Sequence, residues 1–411
     1  MTPHSIYLHI PFCQHRCNYC DFNTYARLEK LIPGYVDALI KEIQILAAGL
    51  GQPLPVHTIY FGGGTPSLLP AHAFEKILQT LDAAFDLEIP IEINLEANPG
   101  TLSLPYLRAL KEIGFNRISL GMQSAHPDEL VFLERLHDYV DVVEAVKWAR
   151  QAGFDNLSLD LIFGLPEQQI DVWRDTLDLA LRLTPEHFSL YALTIEHGTP
   201  LGHWADRGLI PEPDPDMAAD MYELACETLS GAGYVQYEIS NWAYSSSVER
   251  GASSECLSTL HAPRSSPPLA CQHNLQYWRN RPYLGLGAGA HGFADGIRTI
   301  NVLSPRSYIQ RFSTCNLQPA NSFPRAPATI EANPIDRDTE MRETMLMGLR
   351  LTRAGVSDER FRTRFGISIN EVFGDEISEL VKWGLLEWVG EILRLTPRGR
   401  LLGNQVFMHF V

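Results

Sequence analysis

Short β-rich runs alternate with amphipathic helical stretches between residues 5 and 192, and this alternation constrains the chain more than any single motif. Strand candidates occupy residues 5–10, 56–61, 91–96, 117–120, 156–161 and 187–192. Helical windows at 35–48, 71–85, 104–113, 140–151 and 170–183 lie between most of them. Each βα unit takes roughly 25–40 residues, which calls for parallel strands joined by right-handed crossovers. Six such units make an α/β domain, either a doubly wound sheet or a partial (β/α)6 barrel. In both, chemistry gathers at the C-terminal ends of the strands.

Behind the first strand candidate lies Cys13-Gln14-His15-Arg16-Cys17-Asn18-Tyr19-Cys20. Three thiols spaced C-x3-C-x2-C on one loop can grip three corners of a cubane iron–sulfur cluster, which leaves the fourth iron open to a small molecule. The same spacing admits a zinc site, with His9 or His15 completing a tetrahedron. The other four of the seven cysteines are scattered, so no disulfide framework is expected and a reducing cytoplasm is the simplest home. With 49 acidic against 33 basic residues the net charge is -16, which argues against a general affinity for nucleic acid. No apolar run reaches bilayer length, and the first residues lead directly into a strand rather than a secretory signal.

Gly62-Gly63-Gly64-Thr65-Pro66 follows the second strand candidate. Three glycines let backbone approach a ligand where a side chain would clash, although a plain tight turn would read the same way. Farther on, Pro211-Glu-Pro-Asp-Pro215 is a stiff connector into a helix over 217–230. Residues 245–268 read as a flexible Ser- and Pro-rich insertion, and 320–333 as a second low-order stretch. From 338 onward, helices at 338–351, 358–365 and 370–383 precede a hairpin over 385–395 that turns near Gly390, a winged-helix arrangement. Its nearly balanced charge favours a packing role over DNA reading. The expected domains are therefore 1–235, an extension over 236–335, and 336–411.

The cysteine loop together with the glycine segment resembles the radical S-adenosylmethionine (SAM) superfamily. The resemblance favours a 4Fe–4S cluster on Cys13, Cys17 and Cys20 over zinc. It implies a TIM-like radical SAM barrel with a C-terminal winged-helix-like domain. In that family the open iron chelates the amino and carboxylate groups of SAM, and one electron from the cluster cleaves SAM to methionine and a 5′-deoxyadenosyl radical. Tyr7-Leu-His-Ile-Pro-Phe-Cys13, Cys20-Asp-Phe22, Phe61-Gly-Gly-Gly-Thr-Pro-Ser67, Glu96-Ala-Asn-Pro99, Ser119-Leu-Gly-Met-Gln-Ser124, Asp160-Leu-Ile-Phe-Gly-Leu-Pro166 and Tyr191-Ala192 narrow the match. They are similar to the family of oxygen-independent coproporphyrinogen III oxidases and HemW haem chaperones. Carried over by position, Tyr7 lies beside the cluster, and Gly63, Gly64 and Thr65 border the methionine end of SAM. Glu96 pairs with its ammonium and Arg135 with its carboxylate. Gln123 and Asp160 bond the ribose hydroxyls, and the Ala192 backbone meets adenine. From the residues alone, Glu96 or Asp160 could equally be a helix N-cap or a loop-fixing carboxylate.

Cys271-Gln-His273-Asn274-Leu-Gln-Tyr277-Trp278 resembles the H-N-x-x-Y-W haem signature of HemW proteins. A neutral imidazole at His273 is a natural axial ligand for haem iron, and Tyr277 and Trp278 supply flat apolar area for a porphyrin. The bland reading is a hydrogen-bonded His273–Asn274 pair with core aromatics. Tyr283-Leu-Gly-Leu-Gly-Ala-Gly-Ala-His291 either brings backbone to the SAM site or is a close-packed strand and turn; His291 is a secondary haem-ligand candidate. The oxidase branch carries a fourth cysteine where this chain has Phe22, and an N-terminal segment where only six residues stand before Tyr7. Both differences favour the chaperone branch over coproporphyrinogen III decarboxylation. The partners expected on this resemblance are a haem-accepting haemoprotein, membrane-bound acceptors included without insertion into the bilayer, and a one-electron donor such as flavodoxin or ferredoxin.

Overall fold

A computed structural model describes residues 2–245, 267–313 and 323–411. The chain forms two compact units: Met1–Glu186 with Leu190–Met221 and Pro282–Pro334, and His187–Ser189 with Tyr222–Arg281 and Ile335–Val411.

The first unit is built on the parallel strands β1 (His4–Ile10), β2 (Pro55–Gly63), β3 (Asp86–Ala97), β4 (Arg117–Gln123) and β5 (Leu157–Phe163). They pair in chain order, with Ile6 opposite Ile59, Ile59 opposite Ile93, Leu95 opposite Ile118, and Leu120 opposite Leu159. The end of β6 (His187–Ala192) follows, and the next N–H, that of Leu193, donates to the Phe163 carbonyl at 2.8 Å. Crossover helices cover the strands: α1 (Ile32–Ala48), α2 (Ala71–Ala84), α3 (Leu104–Ile113), α4 (Tyr139–Gln151) and α5 (Ile170–Arg182). In α5 the buried residues are Trp173, Thr176, Leu177 and Ala180, the one-sided spacing of a helix lying on a sheet. Truncating one of these apolar anchors, Leu177→Ala for example, costs about 2–5 kcal/mol. Ser103 caps the start of α3, and Gly114, at φ 116°, ends it in a left-handed turn that only glycine adopts cheaply.

On its other edge β1 pairs in parallel with Tyr283–Leu286. Antiparallel strands His291–Ala294, Ile297–Asn301 and Thr329–Pro334 continue outward. The last of these corrects the low-order reading of 320–333 within the described residues. It is a polar edge strand with Ile330 half-exposed, so it lacks the alternating burial that marks a strand in sequence. The expected insertion at 245–268 lies outside the described residues except at its margins.

In the second unit, Phe188 faces Trp242 across an antiparallel pair that Tyr234–Glu238 extends. Helices Arg337–Gly348, Asp358–Phe365 and Ile369–Lys382 precede the hairpin Leu386–Val389/Ile392–Leu395, and Gly390 at φ 61° makes the turn. Met345, Leu349, Phe361, Ile369, Phe373, Ile377 and Leu393 fill its core. Phe407 and Phe410, from short C-terminal helical turns, close that core.

Candidate active site

The C-terminal end of β1 leads into the cysteine loop. Cys13 pairs in register with Ala26, and the Tyr25 N–H donates to the Pro11 carbonyl at 2.7 Å, so residues 14–24 close on themselves. All three thiols are free, and each has its own polar neighbour. Thr65 Oγ1 donates to Cys13 Sγ at 3.7 Å, Arg135 Nη1 to Cys17 Sγ at 3.7 Å, and Thr24 Oγ1 lies 3.9 Å from Cys20 Sγ. Burial pushes the Cys13 and Cys20 thiols up, so a bound metal would have to displace their protons. Donors aimed at sulfur stabilise the thiolates a cubane needs.

The donor set fits a cluster better than a lone zinc ion. His9 Nε2 donates to the Asn23 carbonyl at 2.9 Å and its Nδ1 accepts from the Tyr7 hydroxyl at 3.0 Å, while His15 Nε2 is bonded to Glu134 at 2.9 Å. A cubane needs neither imidazole, since each cysteine takes a different iron. Phe22, where the oxidase branch has a fourth cysteine, is 63% exposed.

Asn23 braces this loop from behind. Its Nδ2 donates to the Ala288 carbonyl at 3.1 Å and the Leu303 carbonyl at 3.0 Å. Gly289, at φ +76°, lies so close that a Cβ there would sit 2.2 Å from Asn23 Nδ2. The glycine-rich run after Tyr283 is therefore a close-packed strand and turn against β1 and Asn23, and His291 at its end is exposed. Beneath it the buried Glu42 carboxylate accepts from the Gly287 N–H at 2.8 Å, Asn301 Nδ2 at 2.8 Å and the Tyr308 hydroxyl at 2.5 Å. Burial still pushes Glu42 up to about 7.

The Gly62–Gly64 segment packs directly on the cysteine loop. The Gly64 N–H donates to the Ile10 carbonyl at 2.9 Å and the Thr65 N–H to the Phe12 carbonyl at 2.8 Å. A Cβ at Gly64 would meet Phe12 O at 2.7 Å and Cys13 Sγ at 3.0 Å. Gly63, at φ 114°, turns its N–H toward Glu96 Oε2 at 3.0 Å, and the Tyr60 hydroxyl donates to Glu96 Oε1 at 2.7 Å. Burial, partly offset by these donors, pushes Glu96 up to about 7. A Cβ at Gly62 would touch both Tyr7 and Glu96, so Tyr7, the glycines and Glu96 share one corner.

Arg135 and Gln123 converge over Gly121, where a Cβ would lie 2.8 Å from Gln123 Nε2 and 3.1 Å from Arg135 Nη2. Gln123 reaches there from a left-handed backbone, φ 64°. Arg135 Nη2 donates to Asn98 Oδ1 at 2.5 Å and the Gly121 carbonyl at 3.1 Å, while its Nε is buried without a partner among the described residues. A cavity of about 90 Å³ beside it is lined by Cys17, Asn98, Thr101 and His137, among others. Asp160 sits mid-strand in β5, not at the strand end expected, and accepts from Ser119 Oγ at 2.9 Å and Ser158 Oγ at 3.2 Å. Neither Glu96 nor Asp160 caps a helix. Ala192 is exposed at the end of β6. The sequence singled out neither Tyr60, Asn98 and Ser119 nor the brace Asn23, and it offered His9 only as a zinc ligand, whereas the ring is taken up by Asn23 and Tyr7. The first three are common polar residues whose only signal was membership of a quoted motif or a strand.

In the second unit, Cys271 precedes the helix Gln272–Trp278. His273 is 1% exposed, and its Nε2 is bonded to the Tyr277 hydroxyl at 2.9 Å with the rings edge to face. The Arg350 guanidinium lies over the Trp278 ring at 4.5 Å, and the buried Trp278 indole N–H has no partner among the described residues. Cys271 is buried, its backbone N–H donating to the Tyr237 hydroxyl at 3.3 Å, which fits a structural thiol.

Residues 7–180 match the family model of the radical SAM superfamily, and residues 335–402 that of the HemN C-terminal domain. The chain is 36% identical over 408 residues to the heme chaperone HemW of Bacillus subtilis, covering 99% of each chain. It is 38% identical over 418 residues to the heme chaperone HemW of Escherichia coli, covering 100% of this chain and 99% of that one. Among solved structures, coproporphyrinogen III oxidase (HemN) from Escherichia coli superposes with a TM-score of 0.78 at 23% identity, covering 99% of this chain and 90% of that one. At that identity the likeness establishes the fold, a TIM-like radical SAM architecture.

Proposed function

The chain belongs to the HemW family of radical SAM proteins, and from that premise we propose that it is a haem carrier which binds haem and passes it to an acceptor haemoprotein. The observation that carries this reading is similarity across almost the whole chain, H-N-x-x-Y-W segment included, to proteins named heme chaperone. The site chemistry supports the cofactors. Cys13, Cys17 and Cys20 would hold a 4Fe–4S cluster, and that cluster supplies one-electron chemistry and an open coordination position when bound. Tyr7, Gly63, Gly64, Thr65, Glu96, Gln123, Arg135, Asp160 and the Ala192 backbone would surround SAM. Glu96 would face its ammonium, and Arg135 would bring a guanidinium to its carboxylate.

His273, released from its Tyr277 bond, would hold the haem iron, and Tyr277 and Trp278 would offer apolar area to the porphyrin. The orphaned Trp278 N–H is a donor that such a ligand could satisfy. SAM or the cluster's oxidation state would gate release, with a flavodoxin- or ferredoxin-like donor supplying electrons. No helix among the described residues is long and apolar enough to cross a membrane; we place the protein in the cytoplasm, meeting membrane-bound acceptors only in passing. The second reading, oxygen-independent coproporphyrinogen III oxidase, draws on the shared fold.

The deciding experiment is a haem titration of the anaerobically reconstituted protein, followed by absorbance. Saturation near one haem per chain supports the carrier. Absence of specific binding, with turnover of coproporphyrinogen III, would replace it with the enzyme.

A further inference from the structure

Arg279 and Arg281 follow the Gln272–Trp278 helix directly, and the Arg281 N–H turns back onto the Gln276 carbonyl at 3.1 Å. The helix Asp358–Phe365 brings two more arginines to the same place. Arg364 Nη2 donates to the Asn280 carbonyl at 2.8 Å, and Arg360 lies one turn earlier, exposed. The charges feel one another. Burial lowers the Arg279 guanidinium to about 10 with help from Arg281 and Arg360, and Arg281 is lowered by burial, Arg360 and Arg364.

The available carboxylates do not answer Arg281 and Arg360. Glu340 is paired with Arg364 at 2.5 Å and Asp358 with Arg362 at 2.8 Å, while Arg281 and Arg360 form no ion pair among the described residues. In a chain of net charge -16, such crowding of cations stands out. A cation near a helix C-terminus is ordinarily favourable, which accounts for Arg279 and Arg281. It does not account for Arg360, which arrives from a separate helix. Like charges held together and partly desolvated are costly until an anion joins them.

We propose that Arg281 and Arg360, supported by Arg279, form a carboxylate site that receives the propionate groups of haem. The proposal rests on the haem-carrier reading and adds to it the edge of the porphyrin that the protein grips. Arg281 stands three residues after Trp278, so a porphyrin against Tyr277 and Trp278 has its acidic edge within reach of this cluster. Planar guanidinium groups suit carboxylates because they donate two parallel hydrogen bonds.

The test titrates the reconstituted full-length protein with haem and with haem dimethyl ester, whose propionates are blocked. The wild type should bind haem at least about tenfold tighter than the ester, one charge-assisted contact being worth roughly that factor. An Arg281→Gln/Arg360→Gln double variant should lose that preference. Its haem affinity should fall about tenfold or more, with ester affinity, Soret position and cluster absorbance unchanged. The Arg281→Lys/Arg360→Lys variant should recover part of the loss. Equal binding of haem and ester by the wild type, or undiminished haem affinity in the double variant, overturns the proposal. So does a double variant that binds haem normally but no longer engages an acceptor, which would assign the cluster to an acidic segment of that protein. A wild type that binds neither compound would bring down the haem-carrier reading itself, and the proposal with it.

Discussion

The imidazole of His273 and the phenol of Tyr277 are hydrogen-bonded at 2.9 Å, one helical turn apart and edge to face, inside the second unit. The nitrogen that would bind iron is therefore already engaged, and ligation must displace a hydroxyl. A net hydrogen bond of this kind is worth about 0.5–1.5 kcal/mol. Tyr277→Phe keeps the ring and removes the competitor, so haem affinity should rise about two- to tenfold. His273→Ala should lower it and shift the Soret band, leaving cluster absorbance intact. Weaker binding in Tyr277→Phe would show that the hydroxyl supports the ligand instead of competing with it.

Gly64 and Gly100 offer a matched pair of alanine substitutions. A methyl group at Gly64 would press on Phe12 O and Cys13 Sγ, whereas nothing lies within 4 Å of one at Gly100. Gly64→Ala should displace the cysteine loop and reduce iron and sulfide content after reconstitution by half or more. Gly100→Ala should load like the wild type. Iron and acid-labile sulfide assays read the difference.

Asn23 holds two carbonyls of the segment behind the loop. Asn23→Ala removes both bonds, one part-buried and one exposed, at about 0.5–1.5 kcal/mol each. The reconstituted cluster should then bleach several-fold faster in air, with a lower midpoint of thermal unfolding. Unchanged bleaching would mean that the loop holds its shape unaided.

Glu42 and Glu96 both have carboxyl groups raised by burial from 4.5 to about 7. Between those values the folded chain keeps protons that the unfolded chain has released. The stability these groups lend is complete below pH 4.5 and is lost as pH rises through about 7. Thermal midpoints of the cluster-free protein should therefore fall from pH 5 to pH 8. Glu42→Gln should flatten part of that slope and a Glu42→Gln/Glu96→Gln pair most of it, at the cost of a lower midpoint at pH 5. A slope unchanged in the pair would assign the pH dependence to other groups.

The barrel strands were legible because their burial is two-sided and their punctuation is local. The helix over 104–113 runs from Leu104 to Ile113 as expected, since Ser103 and Gly114 mark its ends. Strand ends were harder to read. β3 begins at Asp86, five residues before the expected start, in an overhang where Leu87 and Ile89 alternate with acids but which is largely exposed and interrupted by Pro90. Of the candidate site residues, Gln123 and Arg135 meet over Gly121, while Glu96 lies with Tyr7 beside Gly62. Their supports do not announce themselves. Ser119 matters only because strand register sets it beside Asp160. Asn23 matters only because the fold returns Leu303 to it, and no window along the chain contains both.

That last contact has a consequence for the order of events during synthesis. The cysteine loop leaves the ribosome before the segment that braces it, since Tyr283 to Leu303 are made some 260–280 residues after Asn23. A nascent chain carries its three thiols before it has the wall that holds them. If the loop holds a cluster, stable loading would be a late event, and premature termination before Pro282 would leave the three thiols open to oxidation rather than a shortened working protein.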